Sequence, residues 1–179
     1  TLQSIYLHND GNGKFTMPPL PVEAQISQHS AMVVDDFDGD GNLDVIMNGN
    51  DYGTDVAIGR YDAFNGLMLK GDGKGGFKPL SILQSGIYIP GNGKALVKLT
   101  GPKGEYLLAA SQHRGDMKVF ELKHAVHQVK LMPFDTYATI KYKDGRTSKQ
   151  EFYYGDSFLS QSARFITVDN SSSSVSVTD

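Results

Sequence analysis

Asn9-Asp10-Gly11-Asn12-Gly13-Lys14-Phe15 returns, with the same spacing of glycines before a Phe, as Gly71-Asp72-Gly73-Lys74-Gly75-Gly76-Phe77. The offset from Asn9 to Gly71 is 62 residues (71 − 9). A turn-forming heptad that recurs at such a period marks a chain built from similar units. At the same offset Ala31-Met32-Val33-Val34 falls on Gly93-Lys94-Ala95-Leu96, and Val45-Ile46 falls on Leu107-Leu108. Two copies therefore align over residues 9–46 and 71–108.

Between the turns stand apolar runs too short for helices and bounded by Gly, Asn, Asp and Pro, which read as strands. In the first copy they are 4–8, 31–37, 43–48, 67–70 and a weaker segment at 55–60. Residues 117–122 close the second copy, which is shorter by about eleven residues in its counterpart of 49–66. About four strands per repeat predict blades that cannot bury both faces alone. The expected fold is all-β: a partial β-propeller of about two four-stranded blades over residues 1–122 (copies about 9–70 and 71–122). A small C-terminal antiparallel β domain over 123–179 is expected to follow. Its strands are read at 129–132, 136–143, 146–154, 164–168 and 175–178. Lys143-Asp144-Gly145-Arg146 predicts a type I′ hairpin, and residues 171–174 a plain loop.

Composition supports this class. Gly is 20 of 179 residues, above the usual share, with no Gly-X-Y period. Cysteine is absent, so disulfides, thiolate metal sites and cysteine nucleophiles are excluded. With 17 basic and 20 acidic residues there is no basic field to attract nucleic acid. No apolar run approaches the ~18 residues of a membrane span, so no membrane insertion is expected.

The residues that carry chemistry are Asp36-Phe37-Asp38-Gly39-Asp40-Gly41-Asn42-Leu43-Asp44. Carboxylates at positions 1, 3, 5 and 9 of a curled loop turn inward together, where hard oxygens surround a cation. Gly41 at position 6 permits the sharp turn, and Asn42 at position 7 offers its backbone carbonyl. Four close anions repel one another unless a cation is bound. Calcium fits such an irregular all-oxygen set better than magnesium. The expected ligands are Asp36, Asp38, Asp40, Asn42 and Asp44, around one structural Ca²⁺. Met47 at position 12 rules out an EF-hand. Asp35 is assigned to the opposite strand face and left out. In the second copy the same offset brings Lys98, Thr100, Pro102 and Tyr106 to the four acidic positions, so no second ion is expected.

At residues 36–44, with the turns ending at Phe15 and Phe77, the chain resembles FG-GAP/VCBS-type calcium-loop repeats. The resemblance covers roughly residues 1–122 and is degenerate in the second copy. The stretch 138–145, then 150–154 and Phe158-Leu159-Ser160-Gln161-Ser162, resembles an ASPIC/UnbV-type domain. The Phe-Gly-Leu-Gly element of that family is missing, and Phe165-Ile166-Thr167-Val168 stands in its place. The resemblance implies an extracellular, cell-surface or periplasmic setting and brings no catalytic residues.

The remaining motifs are weaker. Arg114-Gly115-Asp116 reads as a plain turn. His124 and His127 fall on opposite faces of an extended segment and make no zinc pair. Tyr52, Arg60 and Tyr61 in the 49–66 segment suit glycan or peptide recognition, or else simply pack a long loop. The expected function is a non-enzymatic, calcium-stabilised module serving as scaffold or in glycan or protein binding. A second chain completing the blades would make it an oligomer. The alternative is a fragment of a secreted polysaccharide-degrading enzyme with its catalytic residues elsewhere, since two copies cannot close a ring and the chain reads as a piece of a longer one.

Overall fold

The short apolar runs form strands almost throughout. The computed structural model describes residues 2–123 and 126–179. In chain order the strands are β1 (His8–Gly11), β2 (Lys14–Thr16), β3 (His29–Asp35), β4 (Asp44–Gly49), β5 (Leu67–Gly71), β6 (Phe77–Leu80), β7 (Gly93–Thr100), β8 (Tyr106–Gln112) and β9 (Gly115–Glu121). The tail adds β10 (His127–Lys130), β11 (Tyr137–Tyr142), β12 (Thr147–Glu151), β13 (Phe165–Val168) and β14 (Ser172–Thr178). One turn of helix, α1 (Ile82–Ser85), is closed by a Ser81–Gln84 capping box.

These strands form five antiparallel sheets, ordered β1-β2, β3-β4-β5-β6, β7-β8-β9, β10-β13 and β12-β11-β14. None closes on itself. The chain is all-β, as the apolar pattern predicts. In β3 the alternation buries Ala31, Val33 and Asp35 and exposes Met32 and Val34. β4, between two neighbours, is buried along nearly all its length.

The two meanders, β3–β6 and β7–β9, meet with their first strands close: β3 and β4 both approach β7. Ala31, Val33, Ile46 and Met68 from the first and Leu96, Leu108 and Ala110 from the second form one core with Phe37, Tyr106 and Phe165. Burial of one such Leu or Ile contributes about 1.5–3 kcal/mol. On the other face of the first meander, Met47, Leu67 and Leu69 pack with Ala24 and Phe64. A small core of Leu131, Ala138 and Ile166 holds the tail sheets.

Several elements differ from expectation. The second meander has three strands rather than four. Residues 55–60 form no strand. Asp55 instead accepts the N–H of Ile58 and of Gly59, a local turn that satisfies the backbone without a sheet partner. Residues 4–8 contribute only the bridge Ile5–Pro19 before β1 begins at His8. β14 starts at Ser172, inside the expected loop. The 143–145 turn is a three-residue loop: Gly145 takes φ 88° and donates to Tyr142, while Asp144 does not enter the left-handed region. That is the hairpin form in which glycine relaxes the closing pair, not type I′. The type I′ geometry occurs instead at Asn12-Gly13, where both residues have positive φ (52° and 72°) between paired Gly11 and Lys14. His124 lies outside the described residues.

Lys98 sits within β7, not in a loop. Asp35 pairs with Asp44 in the first meander, and Thr100 pairs with Tyr106 in the second. Residues 36–43 are thus matched by residues 101–105, a connection three residues shorter (8 − 5). The ungapped offset therefore puts Lys98 in the wrong place. Its conclusion for the second loop changes only in detail, since Glu105 is the one carboxylate there.

Candidate metal centre

β3 and β4 are joined by the acidic loop, and each carboxylate in it first serves the loop itself. Asp36 Oδ1 accepts the N–H of Gly39 (2.7 Å) and Oδ2 that of Gly41 (2.8 Å). Both glycines have positive φ, 78° and 82°, a conformation that costs other residues free energy. Asp38 accepts from Asp40 N (3.2 Å) and Asp40 from Asn42 N (2.9 Å). Such turns made by Asp over the residues ahead explain why this sequence curls without regular structure. The buried ring of Phe37 anchors the loop, edge-on to Tyr106 at 6.0 Å.

The curl brings one carboxylate oxygen each of Asp36, Asp38 and Asp40 within 4.8 Å of one another. Asp44 is placed differently. It is fully buried, its Oδ2 accepting the N–H of Phe37 (3.1 Å) and its Oδ1 that of Gly71 (2.9 Å). The second contact needs the β5 backbone very close, and a Cβ at Gly71 would collide with the carbonyl oxygen of Leu43. The Asn42 side chain lies against Gly73. The glycine turn of the second copy therefore packs over the acidic loop of the first.

Among the described residues the cation paired with the cluster is Lys70 of β5, whose ammonium contacts Asp38 and lies 2.9 Å from Asp40 Oδ2. Its partners lie some thirty positions earlier in the chain, so no local pattern points to the pairing. Hydrogen bonds to Asp38 and then Asp40 hold the Lys70 ammonium protonated well above its ordinary range. The carboxylates respond unequally. Burial pushes Asp36 up, aided by the charges of Asp40 and Asp38 and opposed by the Gly41 and Gly39 N–H groups. Burial likewise raises Asp44, against the N–H groups of Gly71 and Phe37. Burial also acts on Asp40, but the Lys70 hydrogen bond and the Asn42 N–H outweigh it and hold Asp40 low. Two carboxylates are thus destabilised as anions, the condition a divalent cation would relieve.

The donor set fits calcium: all oxygen, anionic, irregular and partly open to solvent. Asp36, Asp38 and Asp40 would be its side-chain ligands, with Asp44 fixing the loop from beneath.

Tyr52, Arg60 and Tyr61 lie on a separate projection. Its neck is pinned by fully buried Asn50, which accepts from Phe64 N (3.0 Å) and Ser27 Oγ (3.0 Å) and donates to Phe64 O (2.6 Å) and Gly91 O (2.8 Å). Reciprocal backbone bonds of 2.9 Å join Asp51 and Tyr61. Beyond the neck, Arg60 Cζ stands 4.9 Å over the Tyr52 ring. Tyr61 is half exposed, and Val56 at the tip is 99% exposed. The arrangement brings Tyr52 and Arg60 together, with one face of Tyr52 occupied by the guanidinium.

No protein-family model matches the chain, and no curated protein or solved structure matches it.

Proposed function

We propose that the chain is a non-enzymatic β-repeat module whose 36–44 loop binds one structural Ca²⁺. The convergence of Asp36, Asp38 and Asp40 within 4.8 Å carries this reading. The two meanders approaching through their first strands support the view of them as propeller blades, with residues 123–179 as a second β unit packed against them. The cation would neutralise the raised carboxylates and lock β3 to β4, so folding and binding are coupled.

Extracellular modules of this chemistry bind calcium at about 10⁻⁴–10⁻³ M. Such a site fills where the ion is millimolar, which favours an extracellular, cell-surface or periplasmic location. The projection bearing Tyr52, Arg60 and Tyr61 is the surface for a glycan or protein partner, a reading supported by its hydrogen-bonded neck and exposed tip. Oligomers form if a second chain completes the blades.

Calorimetric titration of calcium into chelator-treated protein tests the centre. One site per chain is expected, abolished by Asp38→Asn with Asp40→Asn. No heat of binding, or binding unchanged in that variant, overturns it.

A further inference from the structure

Asp35, at the end of β3, is 5% exposed, and both of its oxygens accept two donors. Oδ1 takes the N–H of Asp36 (3.1 Å) and the hydroxyl of Thr167 in β13. Oδ2 takes the Lys98 ammonium of β7 (3.1 Å) and the Tyr106 hydroxyl of β8 (3.2 Å). One buried carboxylate thus gathers the first meander, the second meander, the tail and the first residue of the acidic loop.

The surroundings reinforce the junction. Lys98 is itself buried, with its Nζ 4.8 Å from the centre of the Phe165 ring. Phe165 stands edge-on to Tyr106 at 5.4 Å, and Tyr106 meets Phe37 of the loop in the same way. The tail is also fastened to the Lys98 backbone: Lys98 N donates to Ser162 Oγ (3.2 Å) and Lys98 O accepts from Ala163 N (2.8 Å). A buried charge is tolerated only while its partners stay in place. Networks satisfied this completely gain and lose their members together.

We propose that Asp35 is a coupling residue, through which cation ordering of the 36–44 loop and the seating of β13 on the two meanders stabilise one another. The cation half of this rests on the calcium reading above; the seating half does not. Coupling of this kind is reciprocal. A change in the tail that touches no candidate ligand must therefore alter calcium affinity.

Thr167→Val removes one donor to Asp35 with little change in shape. Hydrogen exchange in the chelated protein is expected to accelerate about tenfold at β13 and its partner β10, with β4 and β5 unchanged. Calcium affinity, titrated with the metal alone, is expected to weaken about fivefold. A second variant, Asp35→Asn with Lys98→Met, removes the buried charges as a pair so that neither is stranded, and the same two effects are expected. Exchange at β13 that stays as in the wild type, or accelerates uniformly, overturns the seating role. Loosened β13 with calcium affinity within twofold of wild type overturns the coupling alone. A wild-type chain that takes no calcium overturns the metal centre and the cation half together, and the exchange result still decides the seating.

Discussion

The loops at residues 36–43 and 101–105 occupy the same place in two meanders and are held in opposite ways. The first is long, curled by aspartates and glycines, and supported from below by buried Asp44. The second closes in five residues, with Gly101 N donating to Glu105 O (2.8 Å) and Glu105 Oε2 taking the N–H of Lys103 (2.8 Å). Where the first has Asp44, the second has Tyr106, whose hydroxyl turns to Asp35 instead of to its own loop. A short connection satisfies its backbone with one carboxylate. A longer one needs several, and these then require a counter-charge. The counter-charge in this structure is Lys70, and the need for it follows from loop length as much as from acidity.

The largest break in this comparison is Asp44→Ala. Two buried N–H groups, Phe37 and Gly71, lose their acceptor, and each orphan costs about 1–3 kcal/mol. Chemical denaturation should show a loss of about 2–6 kcal/mol, with Glu105→Ala in the exposed second loop close to neutral.

Calcium comes next. At ten to a hundred times the dissociation constant it should add about 1.4–2.7 kcal/mol to unfolding free energy. Asp38→Asn should remove that gain and Glu105→Gln should leave it, read as the shift in melting temperature with and without chelator.

Tyr106 tests the contrast through pH. Burial, then the charge of Asp35 and its hydrogen bond to it, raise the phenol well above its ordinary value of 10.0. The group thus favours folding fully below the unfolded value, and this contribution is lost as pH rises through the folded one. Stability should fall above pH ~10 by roughly 1.4 kcal/mol per unit from this group. Tyr106→Phe should flatten that alkaline slope in denaturation curves collected from pH 9 to 11.

The smallest effect belongs to Lys70. Its ammonium must leave Asp38 and Asp40 when a metal enters, so Lys70→Met should tighten calcium binding about two- to fivefold, the scale of an exposed ion pair. Weaker binding in that variant would show that Lys70 organises the carboxylates rather than competing for them.

Strands with strong apolar runs and flanking turns, such as β4, β9 and β11, are legible from sequence because pattern and pairing agree. Residues 55–60 misled because Val56 and Ile58 look like a strand, yet both are exposed on a tip with no neighbouring strand to pair with. The shortened second loop was hidden because the change in spacing lies beside an apolar run that aligns well without a gap. That misplaced Lys98 and concealed its pairing with Asp35. The acidic cluster was visible as a local motif. Lys70 was not, because its partners lie across a sheet. Asp35 faces away from the loop carboxylates, so the local motif does not include it, and that same orientation places it at the junction of β3, β7, β8 and β13.

The pinned neck at Asn50 has a consequence for how such a chain can change. The first meander joins β4 to β5 through residues 50–66, whereas the second joins β8 to β9 by a tight turn at His113-Arg114. With both ends of the excursion fixed by Asn50 and the Asp51–Tyr61 pair, each doubling of its length costs only about 0.6 kcal/mol of closure entropy. The nine residues 52–60 can be rewritten, lengthened or exchanged with little cost to the sheet beneath, which makes this the natural point of diversification and the place to graft a foreign binding sequence.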